Sequence, residues 1–228
     1  MRNLNRTFLA VLLFMAPMIT LVQAPTSRSV PANQVSFYRV PLACPAARNL
    51  GCGSAAKPVL LALEKRSTIQ EAWLDHAGTT LAIVWKKGVN SGVRTAELQS
   101  VAEDRGISLH ELAGRQRDDD LMTFKKGNGW YRGAEVDKLS EEEAMVIADR
   151  LIRRASATAP TITGKAESLK LAIAELIREQ LTGCTSTQCR DDCHKKLVDI
   201  ARKNLNDHEF NALMDAEKQG PRPLENEQ

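Results

Sequence analysis

Leu81-Ala82-Ile83-Val84-Trp85 is an unbroken apolar run, and its reading decides the fold. A strand that is apolar at every position must be covered on both faces, which places it in the middle of a sheet. Ala77-Gly78, just before it, is a turn signal, so Thr68 to Ala77 and Thr79 to Lys86 read as the two arms of a hairpin. Downstream, Val93 to Arg105 has helical periodicity, with Leu98, Val101 and Ala102 inward and Gly106 as the stop. Ile107 to Leu112 then returns as a strand. Upstream, Gln34 to Leu42 has strand composition, carried by Val35, Phe37 and Val40. A Cys/Gly/Pro loop, Ala43 to Gly53, leads into a helix with Ser54 as N-cap and Ala56, Val59, Leu60 and Leu63 on one face, running to about Arg66. Pro58 falls in its first turn, where a missing N–H costs little.

The order strand, helix, strand, strand, helix, strand over residues 34–113 is the ferredoxin-like βαββαβ pattern, which makes the chain α+β. Residues 114–158 follow as an accessory region. Arg115 to Asp120 reads as a solvated charged connection, and Leu121 to Val136 as a small hairpin turning at Gly127-Asn128-Gly129, with Trp130 and Tyr131 as packing residues. Ser140 to Glu143 has the capping-box spacing S-x-x-E. It opens an amphipathic helix whose apolar face is Ala144, Met145, Ala148, Leu151 and Ile152. Ala155 to Gly164 is a Thr/Ala/Pro stretch and the candidate boundary. Residues 159–219 read as a helical C-terminal domain, with Leu169, Ile173, Leu176 and Ile177 on one helix and Cys189, Cys193, Leu197 and Ile200 on the next. Phe210, Leu213 and Met214 mark a last short helix capped by Asn206, and residues 220–228 form a polar tail.

The beginning of the chain has the three parts of an export signal. Arg2 and Arg6 are followed by an apolar run from Phe8 to Val22 and a small-residue cleavage site at Val22-Gln23-Ala24. Residues 1–24 are therefore expected to be removed, residues 25–33 to form a leader, and the working protein to be periplasmic or secreted. Without Arg2 and Arg6 the formal charge of +3 falls almost to balance. A balanced chain lacks the basic footprint that nucleic acid or an anionic membrane surface would select. His110-Glu111 and His208-Glu209 each begin like the zinc-protease motif H-E-x-x-H, but the fifth residues are Gly114 and Ala212. There is no G-x-S-x-G, no phosphate-binding glycine loop and no dinucleotide fingerprint, so the chain reads as non-enzymatic.

Five cysteines in an exported chain carry the remaining information. Cys44 and Cys52 lie in the loop before the first helix. Free amides and the macrodipole at a helix N-terminus favour a thiolate, the form that binds soft metals such as copper, zinc or mercury. Gly51 and Gly53 would let the backbone turn around an ion. The same two residues could instead form a disulfide closing a short loop, worth about 2–3 kcal/mol. The second group, Cys184, Cys189 and Cys193, could hold a metal with His194 or His208 as fourth ligand. Alternatively, two of its cysteines could staple the helical hairpin, leaving the third buried as a small apolar group. His194 adjoins Cys193 and points about 100° away around an ideal helix.

Residues 35–112 resemble the heavy-metal-associated domain, found in copper chaperones and the periplasmic mercury-binding protein. The features that carry the resemblance are the strand 35–42, Cys44 and Cys52, the helix with Leu60 and Leu63, the hairpin, and Val101-Ala102-Glu103-Asp104-Arg105-Gly106-Ile107. The family spaces its cysteines C-x-x-C, whereas here Pro45 to Gly51 separate them. The resemblance implies a ferredoxin-like fold with two metal-binding cysteines, Cys44 and Cys52, in the first strand–helix loop. The expected function is soft-metal binding (copper, mercury or zinc) in trafficking or detoxification. A membrane metal transporter or another periplasmic protein would be the partner, and no nucleic acid is involved. The alternatives are an exported interaction module with purely structural disulfides, or a thiol redox protein.

Overall fold

The computed structural model describes residues 28–183 and 187–224, and of 187–190 the backbone alone. The expected signal at 1–24, most of the leader, Cys184 and the end of the tail lie outside the described residues. The elements run β1 (Val35–Arg39), α1 (Gly53–Glu64), β2 (Ile69–Asp75), β3 (Thr80–Trp85), α2 (Ser91–Arg105) and β4 (His110–Glu111). They continue as α3 (Gly114–Lys126), β5 (Trp130–Tyr131), α4 (Asp137–Thr158), α5 (Ala166–Gly183), α6 (Thr187–Asn204) and α7 (Asp207–Lys218). The described residues thus combine seven α-helices with one antiparallel five-stranded sheet in the order β4-β1-β3-β2-β5.

β3 lies at the centre of that order and is buried at every residue, as its apolar run requires. Leu81, Ile83 and Trp85 face one core, with α1, α2 and the start of α4; Ala82 and Val84 face another. The pairing Ile69↔Trp85 shifts register before Glu71↔Val84. That bulge lets Ile69 and Ala72, three apart, reach the same core, which a regular period of two would forbid.

Several expectations change. The sheet is wider than four strands, and its last expected strand, 107–112, shrinks to His110–Glu111. The N-cap of α1 is Cys52 and not Ser54, because the helix already starts at Gly53. Residues 115–120 are helical and no hairpin forms over 121–136. α3 instead docks Phe124, fully buried, against Phe37 and Trp130 with ring centroids 6.0 and 5.3 Å away. The helix stops at Gly127 in the left-handed conformation, after Lys125 and Lys126 in its last turn. Trp130 and Tyr131 then pair with Asp75 and Leu74 of β2 rather than with residues 121–126.

Ser140 and Glu143 form no capping box. α4 begins one turn earlier at Asp137, whose carboxylate meets Lys57 of α1 at 2.5 Å, so both residues are helix interior and buried. Met145, expected inward, is exposed. Residues 155–164 are not an open stretch: α4 runs to Thr158, a short 3₁₀ turn follows at Pro160–Lys165, and Ile162 within it is fully buried. α4 joins the two halves of the molecule. Leu139 belongs to the core beneath the sheet, while Ala148, Leu151, Ile152 and Ala155 belong to a second core with α5, α6 and α7. No helix among the described residues is long and apolar enough to cross a membrane.

Candidate functional site

The loop between β1 and α1 doubles back on itself. Ala43 and Gly51 form an antiparallel bridge, the Cys44 amide donates to the Leu50 carbonyl at 2.7 Å, and the Cys52 amide donates to the Leu42 carbonyl at 2.8 Å. Alternation along this ladder puts Leu42, Cys44, Leu50 and Cys52 on one face, the face turned to the core. Within it, Cys44 lies opposite Leu50 and Cys52 opposite Leu42. The two cysteines are therefore diagonal neighbours, with Cα atoms roughly 7–8 Å apart. Disulfides usually join Cα atoms about 4.4–6.8 Å apart. Both are free thiols in this structure.

Neighbours outside the loop fix its shape. The Gly51 amide donates to the His76 carbonyl at 2.7 Å, and the His76 ring spans from the Asn49 carbonyl (3.0 Å) to the Glu142 carboxylate of α4 (2.8 Å). Buried Arg150, two turns further along α4, donates to the Ala46 carbonyl inside the loop and to that of Pro221 at 3.1 Å. The loop is thus held between the β2–β3 turn and α4. Gly78 completes this close approach: with φ at +72°, it sits so near that an added Cβ would lie 2.4 Å from the Leu42 carbonyl oxygen.

The two thiols differ in their surroundings. Cys44 is 6% exposed and accepts from the Ala46 amide at 3.3 Å. Burial pushes its thiol up to about 12, with the hydrogen bond and negative charge of Glu143 adding to the effect. Cys52 is half-buried at the start of α1, with its sulfur 3.3 Å from the Ser54 hydroxyl. It does not cap the helix with its side chain, so the first amides of α1 stay free of a side-chain acceptor at that position.

Glu143 is the residue that sequence reasoning missed. It is 5% exposed. Burial raises its pKa, and the two thiols counteract that in part. Its Oε2 and the neighbouring Ser140 hydroxyl are buried with no hydrogen-bond partner among the described residues. The S-x-x-E spacing was itself the signal, since i and i+3 share a helix face; a helix start one turn earlier turns that face inward.

In the second cysteine group only Cys193 has a described side chain. Cys193 is half-buried in the helical core and donates to the Gln180 side chain at 3.1 Å. Burial raises its thiol pKa, and Glu217 adds to the rise. It borders a groove of about 300 Å³ with Ile147, Leu151, Leu176 and Pro221. His194 is exposed and meets the Glu217 carboxylate at 2.8 Å. Cys189 is on α6 by its backbone, and its side chain, like Cys184, lies outside the described residues. Among the described residues no three His, Cys, Asp or Glu side chains already surround one point as metal ligands would. Compared with known proteins, the chain matches no family model, no curated protein and no solved structure.

Proposed function

We propose that this is an exported protein that binds a soft metal ion through Cys44 and Cys52, in metal trafficking or detoxification. The observation that carries the reading is the loop register. It presents two unbridged thiols on one face, beside a helix N-terminus that lacks a side-chain cap. Thiolates are the donors that soft ions select. The diagonal placement weighs against a structural disulfide as the purpose of the pair. We also read β1 to β4 with α1 and α2 as a ferredoxin-like unit, to which α3 and β5 are additions; the order β4-β1-β3-β2 within the sheet supports it.

The test is a titration of reduced protein with Cu(I) under a competing chelator. Wild type should bind one ion, Cys44→Ser and Cys52→Ser should each lose most of the affinity, and Cys189→Ser should behave as wild type. If Cys189→Ser loses binding while Cys52→Ser keeps it, the metal belongs to the helical part. Binding unaffected by all three substitutions would remove the metal reading altogether.

A further inference from the structure

We propose that the cleft between the β1–β4 edge of the sheet and the start of α3 binds a small organic carboxylate, held by Arg39, Thr80 and His110. The inference stands apart from the metal-binding reading above. Residues paired across antiparallel strands share a sheet face. Arg39 of β1 is paired with Thr80 of β3 on one side and with His110 of β4 on the other, so the three form one row across three strands. Arg39 is two residues from Phe37, hence on the same face, the one that α3 meets with Phe124. Gln116, in the first turn of α3, accepts a hydrogen bond from Arg39 Nη2 at 3.0 Å. The row opens into a cleft of about 430 Å³, which Ser108 also lines.

Two observations point to a ligand. Thr80 is 6% exposed and lines the cleft, yet its hydroxyl has no hydrogen-bond partner among the described residues. A buried hydroxyl is nearly always bonded, so this one is open to a partner from outside the chain. Arg39 and His110 line the same cleft and are exposed, and among the described residues neither side chain is in an ion pair and the His110 ring has no hydrogen bond. A guanidinium, an imidazole and a hydroxyl thus share one space with hydrogen-bonding capacity to spare.

The donor set selects the anion. The two oxygens of a carboxylate match the planar fork of a guanidinium, and the bond to Gln116 holds that fork in orientation. The hydroxyl and the imidazole can each donate to a remaining lone pair. The positive charge is modest. Arg39 is the one fixed cation among the lining residues, and it also interacts with the charge of Asp120. A singly charged anion is balanced there, whereas a doubly charged phosphate is not. Asp75 does not compete for the donors, because its carboxylate accepts from the Thr79 and Thr80 amides at 2.8 and 2.7 Å. Pro41 and Ala43 are exposed in the same cleft and would receive a short apolar body. The volume lies at the lower end of the roughly 300–1,000 Å³ of small-molecule sites, which suits a free acid of a few carbons.

The experiment titrates the full chain with butyrate and follows the backbone amides of Arg39, Thr80 and His110 by NMR. Butyramide, inorganic phosphate and N-acetyl-dialanine are titrated in parallel. Butyrate should shift all three amides saturably, with a dissociation constant on the order of 1 mM, and butyramide should bind at least tenfold more weakly because it lacks the charge. Arg39→Gln should weaken butyrate by at least tenfold. Thr80→Val keeps the shape but not the hydroxyl and should weaken it by roughly three- to tenfold. Arg39 is exposed, so Arg39→Gln keeps the test decisive even if Thr80→Val does not fold. Absence of a saturable shift, equal binding of butyrate and butyramide, or wild-type affinity in Arg39→Gln overturns the proposal. Tighter binding of phosphate overturns the choice of a carboxylate, and tighter binding of N-acetyl-dialanine, which carries a peptide C-terminus, overturns the choice of a free acid.

Discussion

Replacing Gly53 by alanine tests whether α1 and α4 are packed as closely at the cysteine loop as the structure has them. An added Cβ at Gly53 would lie 2.3 Å from the Ser140 hydroxyl oxygen, 2.7 Å from the Val136 carbonyl oxygen and 2.9 Å from the Ser140 amide nitrogen. The hydroxyl can rotate away, but the other two are backbone, so the helix starts must separate. Overpacking of this kind costs typically about 1–3 kcal/mol. The better helix propensity of alanine returns at most about 1 kcal/mol, and less in a first turn. The net loss should be roughly 1–2 kcal/mol, or a fall in melting temperature of roughly 2–8 °C for a chain of this size. Urea unfolding of the reduced protein, followed by circular dichroism, measures it. Ser140→Ala supplies the internal control. On its own it removes a buried hydroxyl that has no hydrogen-bond partner, so it should be neutral or stabilise by about 1 kcal/mol. In the Gly53→Ala background it relieves the shortest contact and leaves the two backbone contacts, so rescue should be partial. A Gly53→Ala protein as stable as wild type would refute the close packing, and full rescue by Ser140→Ala would refute the part assigned to the backbone.

Three further predictions concern titration. Under native reduced conditions near pH 8, iodoacetamide should label Cys52 and spare Cys44, because Cys44 is buried and its thiol is pushed up to about 12. Peptide mass mapping decides it, and equal labelling would mean that the loop opens. The same shift makes Cys44 favour the fold fully below its ordinary value of 9.0 and progressively less as pH rises towards 12, so Cys44→Ser should flatten the alkaline loss of stability. Glu209 has the opposite sign. The Thr161 hydroxyl, then Lys165 at 2.9 Å and the Asn206 amide, lower its pKa to about 2. Its contribution is complete above the ordinary carboxylate value of 4.5 and is lost as pH falls towards 2. Glu209→Gln should therefore reduce the steepness of acid unfolding in that window; an unchanged acid limb would contradict the assignment.

The local readings that succeeded depend on signals contained in one segment. The run Leu81 to Trp85 identified a strand buried on both faces, Ala77-Gly78 marked the bend before it, and Gly106 ends α2 in the left-handed conformation. Asn206 and Glu209 make the reciprocal capping contacts that their spacing suggests. The readings that failed depended on which of two local solutions the rest of the chain would reward. Ser140-x-x-Glu143 fits a helix start and a helix face equally well, and the Lys57–Asp137 pair accompanies the earlier start that makes it a face. Residues 114–126 carry too much charge to announce a buried face, yet the sheet offered Phe37, Trp73 and Trp130 as a surface for Phe124.

The candidate site divides along the same line. Sequence alone determined that Cys44 and Cys52 share a loop ahead of a helix, because both elements are written in neighbouring residues. Only the tertiary structure decided that the two cysteines stand diagonally on one face, that His76 and Arg150 pin their loop, and that Glu143 is turned inward and buried. The physical reason is that these contacts join residues distant along the chain. Their geometry follows from how α4 packs against α1 and the sheet, a result of burial across the whole core that no local pattern encodes.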